Sequence, residues 1–424
     1  GFASKFAYAE NRLDWFAGFL AGQKGMPPYL RLVLQGDLLL AGDRRQEAFE
    51  KYDEAAVRFE SPGLMIKKAE ALYGAGNRSG AVELWQKAFA ARPWDFTLAL
   101  RLSDVLRERD LPGDLPAGSG VVLLYSWNNA ADLDITLGSL AATTPPQVPI
   151  LLLDNGSTDD TAAVCKRWEA ELGGRLSLVP LPINIGAPAA RNWLISTPEV
   201  CGADWVVFLD DDAVVPPLWL NYFGKARQCF PKAGIFGCRV NYMAAPQIIQ
   251  SADLHEERPL EPQAENMPEA AFQITDFHGQ IPDRGELGYM RPCLHVTGCC
   301  HLITRENLDS VGGFNLMFSP SQFDDYERDL RSGIGGSLPV YNGHLRVMHR
   351  QRSGWAKFVS LGNAANINGN SLKVRLIYSI KQRAMLQKQD FSTLAGHLDE
   401  CLEVIGGGRG DFKGKGDDRV CNSK

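Results

Sequence analysis

Apolar positions in the first hundred residues recur at helical spacing, and from about residue 120 they change to short continuous runs that alternate with amphipathic stretches. Between Asn11 and Asp110 the pattern is helical throughout, and it repeats. Gly42 and Gly76 lie 34 apart, while Ala48/Ala81, Tyr52/Trp85 and Ala55/Ala88 are each paired at 33. The small–aromatic–small spacing puts Ala81, Trp85 and Ala88 on one helical face. Pro93 ends the second copy, and a flanking helix is expected over Trp94–Arg109. Residues 111–120 are dense in Pro and Gly and read as a linker. Beyond it, Val121–Ser126, Val148–Leu153, Leu176–Pro180 and Trp205–Leu209 are runs suited to buried strands, with helices expected over Ala131–Ala142 and Thr161–Leu172. This alternation predicts an α/β domain, 121–390, around a largely parallel sheet.

Later segments are less regular. Ala233–Val240 reads as a strand, and Leu338–Tyr341 with His344–His349 as a strand pair. Between Asn241 and Pro292 the periodicity is lost, which marks a long irregular insertion. Leu372–Lys388 is a basic amphipathic helix, for which a face against the core is the main expectation and peripheral membrane contact the lesser one. Residues 391–424 read as a C-terminal extension, Gly- and Lys-rich and disordered from Gly406.

The repeat in residues 1–110 resembles the tetratricopeptide repeat, in which small residues let paired helices approach and an aromatic fills the groove. Its first copy has Glu60-Ser61-Pro62 where the terminal proline is expected. Two copies and a flanking helix are short for a free-standing solenoid, so this all-α module is expected to pack on the next domain. It serves either as a docking surface for a protein partner or as a structural prop.

Composition narrows the class. A net charge of −6 argues against general nucleic-acid binding, and no apolar run reaches membrane-span length. The nine cysteines include no CxxC, so neither a zinc cluster nor a disulfide framework is indicated, and reduced cytoplasmic thiols fit best. The opening, without an initiator Met or a secretory pattern, reads as a trimmed start.

The chemistry gathers at strand ends. Trp205–Leu209 runs into Asp210, Asp211 and Asp212, and Pro216-Pro217 then opens a helix. Acids at the carboxyl edge of a sheet lie where α/β domains bind ligands. Three adjacent carboxylates repel one another unless a hard divalent cation, Mn²⁺ or Mg²⁺, joins them; capping of the next helix is the plainer use. Asp154 ends the second strand in DNGSTDD, where it either meets a base or ribose or serves turn chemistry. In the small-residue segment Asn184–Asn192, Arg191 can meet a base or phosphate, or pair structurally with a carboxylate.

The ordered set VVLLYSWNN, LLLDNGSTDDT, NIGAPAARN and VVFLDDDAVVPP resembles the family 2 glycosyltransferases of the GT-A fold, over roughly Gly120 to Ser353. The resemblance implies a Rossmann-like nucleotide-diphospho-sugar transferase domain. In it Asp154 and Arg191 contact the nucleotide, Asp210 and Asp211 complete its binding, and Asp212 with Asp210 forms a DXD-type metal site on the diphosphate. The segment His295–Thr304 resembles the sugar pocket, with Gly298 allowing close approach of the donor. Its Cys299 and Cys300 read as small buried residues rather than nucleophiles. Asp324-Asp325 stands where the family has Glu-Asp, so Asp325 matches the acceptor base and Asp324 its preceding acid, with a pKa expected to be raised by burial or by the neighbour. First-turn charges complementing a helix dipole are the competing use of this pair. His349 resembles the family's late histidine, which completes the metal shell, with His344 as its rival. Arg350 and Arg352 suit a diphosphate lid or a surface patch.

The function expected is metal-dependent, inverting transfer of a sugar from a nucleotide-diphosphate donor, a UDP-sugar for preference, to a hydroxyl of a glycan or protein acceptor. Two rivals are a nucleotidyltransferase and a non-catalytic scaffold built on the repeats. The first lacks its Gly-rich basic loop, because Tyr125–Ala130 contains no Gly, Lys or Arg.

Overall fold

The computed structural model describes residues 2–256, 274–275, 281–351 and 361–406; Arg352, residues 407–424 and much of the irregular insertion lie outside them. The chain begins with helices α1 (Phe2–Ala9), α2 (Leu13–Gly22), α3 (Pro28–Ala41), α4 (Arg45–Ala56), α5 (Pro62–Gly74), α6 (Arg78–Ala91) and α7 (Phe96–Leu106). Local sequence sets their ends: Ser61 accepts the Leu64 N–H ahead of Pro62, and Asn77 and Asp95 cap α6 and α7 in the same way. The repeated positions Ala48, Tyr52, Ala55, Ala81, Trp85 and Ala88 are fully buried. Small residues let α3 pack on α4 and α5 on α6, while Tyr52 and Trp85 fill the space between neighbours.

The second part alternates β1 (Gly120–Ser126), α8 (Ala130–Thr143), β2 (Ile150–Asp154), α9 (Thr161–Leu172), β3 (Leu176–Pro180), α10 (Ala187–Ile195), α11 (Pro198–Cys201) and β4 (Trp205–Leu209). There follow β5 (Ala213–Val214), α12 (Trp219–Cys229), β6 (Ile235–Phe236), β7 (Arg239–Tyr242), β8 (Ile249–Ser251), β9 (His255–Glu256), β10 (Ile274–Thr275), β11 (Met290–Pro292), β12 (Cys300–Thr304) and α13 (Arg305–Val311). The last elements are α14 (Asp324–Ile334), β13 (Val340–Asn342), β14 (Arg346–His349), α15 (Leu361–Ile377) and α16 (Ile380–Gly406). The main sheet has the order β11-β13-β6-β12-β4-β1-β2-β3. Strands β3, β2, β1 and β4 are parallel, and β12 inserts antiparallel beside β4. Apolar clusters cover both faces of this sheet, as its continuous apolar strands require. A second sheet, β5-β14-β7-β8, stands at its rim.

Three segments differ from the expected pattern. The run Ala233–Val240 divides into β6 and β7 around Gly237, where any Cβ would fall 2.3 Å from the Val296 side chain. Leu338–Tyr341 and His344–His349 do not pair with each other: β13 joins the main sheet beside β6 and β11, whereas β14 pairs with β5 and β7. The basic helix Leu372–Lys388 is broken between Ile377 and Ile380, and α16 continues past residue 391 to pack on α7, burying His397 and Cys401. Residues 391–406 of the expected extension are therefore a packed helix.

The helical module is joined to the α/β domain by buried polar contacts. Arg101 pairs with Glu70 at 3.3 Å, lies 4.3 Å from the Tyr73 ring centre and donates to the Gly288 carbonyl at 2.9 Å. Asp104 accepts the Met290 N–H at 2.6 Å and faces His344 Nε2 at 3.0 Å, which makes His344 part of this seam. Arg101→Met would leave Glu70 buried without its partner. It is expected to lower unfolding free energy by about 3–5 kcal/mol, read from urea denaturation. A module that melts separately in both proteins would refute the role given to this seam.

Candidate active site

Strand β4 ends at Leu209, and the turn after it is fixed by the Asp210 N–H donating to the Cys299 carbonyl at 2.8 Å, so the acids follow β4 and β12 to one rim. Asp211 is held from beneath: Ser126 Oγ donates to its carboxylate at 2.5 Å and Thr136 Oγ1 to its carbonyl at 2.9 Å. Desolvation pushes Asp210 up to about 6 and Asp211 up to about 7, with neighbouring carboxylates adding to the rise. The rim thus carries more negative charge than it stabilises by itself.

His349, buried on β14, brings Nε2 to 2.7 Å from Asp212 Oδ1 and 4.0 Å from Asp210 Oδ2. Its Nδ1 faces Gln250 Oε1 at 2.8 Å, and Gln250 Nε2 donates to Gln351, which orients the amide. Burial alone would lower the His349 pKa, but the bond to Asp212 and the neighbouring acids raise it, so Nε2 carries a proton towards Asp212. With Nδ1–H donated to Gln250, loss of that proton would free the Nε2 lone pair for a cation. Asp210, Cys299 and His349 also present one ligand atom each within 4.8 Å of one another. Mn²⁺ and Mg²⁺ are hard cations that favour carboxylate over a soft thiolate, so Asp210 and His349 are the more suitable donors of this set. Arg350 reaches Asp132 at 2.5 Å, while its N–H donates to the Asp212 carbonyl.

The second acidic pair begins α14. Gln322 and Phe323 have φ of +78° and +71°, an uncommon conformation for two successive non-glycine residues. Asn370 of α15 holds this bend by donating to the carbonyls of Ser321 and Gln322, both at 2.8 Å, and Phe318 at 3.2 Å. Asp324 is buried and receives Arg191 Nη1 at 2.5 Å, whereas the partly exposed Asp325 accepts the Gly298 N–H at 2.7 Å and the Tyr326 N–H at 2.8 Å. Burial alone would raise Asp325, but His295, Arg191 and these two N–H groups outweigh it and hold the carboxyl below its usual range. This reverses the expectation for the acceptor base: the rise falls on Asp324, where burial dominates. His295 is itself oriented by Asp329 at 2.7 Å.

Arg191 connects the two constellations. It is buried, lies 3.7 Å from Asp210 and 2.5 Å from Asp324, and sits within 6 Å of the ring centres of Tyr125, Phe208 and Phe314. The carboxylate pair, one of its two expected roles, is present. Gly298 likewise serves the acids, because a Cβ there would fall 2.7 Å from Asp325 Oδ2 and 3.1 Å from Arg191. Asp154 stands at the end of β2 in register with Ser126 and accepts the Ser157 N–H at 3.0 Å, which is turn chemistry at the rim. Next to it, Asn155 ties this turn to the following loop through Asn184 and the Ile185 N–H. Sequence reasoning passed over Gln250, Tyr125, Asn370 and the His295–Asp329 pair. Gln250 lies in the segment without periodicity, Asn370 carries no local motif, and Tyr125 and His295 fall in segments already singled out but meet partners, Arg191 and Asp329, from distant parts of the chain.

The fold and rim define a GT-A-like α/β domain preceded by a helical region. Residues 121–309, a little under half of the chain, match the family model described as glycosyl transferase family 2. Among curated relatives, the O-antigen biosynthesis protein RfbC of Myxococcus xanthus is 26% identical over 245 residues, covering 54% of this chain and 17% of that protein. The N-acetylglucosaminyl-diphospho-decaprenol L-rhamnosyltransferase of Mycobacterium tuberculosis is also 26% identical over 245 residues, covering 54% of this chain and 75% of that protein. A mannosyltransferase from Pyrobaculum calidifontis, solved with GDP-Man and Mn²⁺, superposes with a TM-score of 0.40 at 16% identity, covering 77% of this chain and 97% of that one. No helix among the described residues is long and apolar enough to cross a membrane.

Proposed function

We propose that the protein transfers a sugar from a nucleotide-diphosphate donor, UDP-linked for preference, to an acceptor hydroxyl with inversion at the anomeric carbon. The observation that carries this reading is Arg191, which pairs with Asp210 on one acidic loop and Asp324 on the other and so sets both at one rim. Asp154 and the turn it anchors form the nucleotide side of that rim. Asp210, Asp212 and His349 would hold a divalent cation, which when bound supplies positive charge to the diphosphate leaving group. Asp325 faces the acceptor side. As the acceptor oxygen forms its bond to the anomeric carbon, the bond to the diphosphate oxygen breaks, and Asp325 takes the hydroxyl proton. The charges of His295 and Arg191, with the two N–H donors behind them, keep Asp325 ionised and make it a weak base, so the proton moves as the attacking oxygen gains positive character rather than before.

The activities of the relatives, O-antigen biosynthesis and rhamnosyl transfer, favour a glycan as acceptor over a protein. Residues 1–110 act as a tetratricopeptide-type module, with 111–120 as linker and 121–390 as the transferase unit. The eight cysteines among the described residues are all free, which suits a reducing, cytoplasmic setting. The test is nucleoside diphosphate release from a panel of UDP-, GDP- and dTDP-sugars with and without Mn²⁺. Metal-dependent release from one donor supports the reading, whereas pyrophosphate release from a nucleoside triphosphate and a sugar phosphate replaces it with nucleotidyl transfer.

The support behind His349 makes a separate prediction. Gln250→Leu removes the acceptor that fixes the imidazole tautomer, and is expected to weaken Mn²⁺ binding by about 10–100-fold in a calorimetric titration. An unchanged affinity would remove His349 from the cation site.

A further inference from the structure

The chain is acidic overall, yet its last third has a segment of opposite character. From Leu330 to Gln389, sixty residues contain ten Lys and Arg and no Asp or Glu. Helices α15 and α16 begin their outward face within this segment. Leu372, Leu376 and Ile380, at four-residue intervals, are 52%, 77% and 55% exposed, while Val374, Tyr378 and Leu386 turn inward. Leu316 and Met317, each 57% exposed, belong to the short helical turn Leu316–Phe318 on which α15 packs, and Lys373 Nζ donates to the Met317 carbonyl at 2.6 Å. Lys381 and Lys388 are exposed along α16. The result is an apolar line bordered by cations, with nothing in the described residues lying over it.

Position adds to composition. The same α15 holds the Ser321–Phe323 bend through Asn370, and that bend leads directly into Asp324 and Asp325. The face is therefore contiguous with the loop on the acceptor side of the rim. An apolar line alone has no address, but one flanked by lysines and free of acids fits a surface that offers both hydrocarbon and negative charge.

We propose that the α15–α16 face, with Leu316 and Met317, docks on an anionic lipid surface. Lysines contribute the attraction to headgroups, and Leu372, Leu376 and Ile380 enter the headgroup boundary without spanning the bilayer. That this contact presents the acceptor side of the site to the membrane rests on the glycosyltransferase reading; the contact itself does not.

The test is flotation of the full chain with phosphatidylcholine vesicles, with and without phosphatidylglycerol, at low and high salt. Flotation is expected with the anionic vesicles, less with phosphatidylcholine alone, and less again at high salt. The double variant Leu372→Ser/Leu376→Ser is expected to bind about tenfold more weakly, and Lys381→Glu/Lys388→Glu to lose the preference for anionic lipid. All four positions are exposed, so circular dichroism and the unfolding midpoint should stay as in the parent chain. Absence of flotation, or equal flotation of the leucine variant, overturns the proposal. So does self-association that the leucine variant abolishes while vesicles remain unbound, since it would give the face to a second copy of the chain. Nucleoside diphosphate release, measured on the same preparations without vesicles, tests the glycosyltransferase reading independently.

Discussion

Asp325→Asn is expected to lower the rate of sugar transfer by about 10²–10⁴-fold while leaving donor affinity close to that of the parent chain, at a stability cost of about 1–3 kcal/mol for the one N–H bond it loses. The amide keeps the shape of the side chain, but Gly298 and Tyr326 donate to different oxygens of the carboxylate, so the single amide oxygen can keep only one of these two N–H bonds at the start of α14. It cannot take a proton. Donor affinity should survive because the diphosphate end of the rim is built from Asp210, Asp212 and His349, which Asp325 does not touch. Steady-state kinetics with varied donor and acceptor separates the two effects: kcat falls and KM for the donor holds. A variant with unchanged kcat would show that Asp325 is only the N-terminal charge of its helix, and the acceptor proton would need another destination. Asp324→Asn should likewise cost stability as well as rate, here because it weakens the ion pair with Arg191.

How much of this was legible beforehand follows from the range over which each feature is encoded. The strands Leu176–Pro180 and Trp205–Leu209 and the helix Thr161–Leu172 occur as the residue pattern predicts, because a buried parallel strand and an amphipathic helix are written in adjacent residues. The triple Asp210–Asp212 was visible for the same reason. What the pattern could not contain is partnership across the chain. Arg191 and Asp324 are 133 residues apart and His349 and Gln250 are 99 apart, and nothing local to either residue announces the other. The same limit explains the strand pair placed wrongly. Leu338–Tyr341 and His344–His349 look like neighbours in sequence, but each finds a better partner elsewhere, β13 beside β6 and β14 beside β7. It also explains the direction of the Asp325 shift. Burial and an adjacent acid are readable from the sequence and both raise a carboxyl, whereas a histidine and an arginine from distant segments, with two backbone donors, lower it.

Replacing Arg191 discriminates between the two uses a buried guanidinium can have at a nucleotide site. Arg191→Met is expected to lower unfolding free energy by about 3–5 kcal/mol in urea denaturation and to abolish transfer, because it leaves Asp324 and Asp210 without the charge they converge on. Much of that stability should return in Arg191→Met/Asp324→Leu, where the uncompensated carboxylate is removed as well, yet activity should not, since the two acidic loops lose the bridge that fixes their separation. Arg191→Lys is expected to fall between the two. A single ammonium can neutralise one carboxylate, but it lacks the planar group that sits among Tyr125, Phe208 and Phe314 and reaches both acids at once. A residue whose main task is to meet the nucleotide behaves otherwise: its loss raises KM for the donor and leaves the unfolding curve in place. If Arg191→Met unfolds like the parent chain, the guanidinium is a ligand contact and the convergence of the two acidic loops has some other support. If stability and rate fall together and only stability is restored by the second substitution, Arg191 is the strut that makes one site of two distant segments.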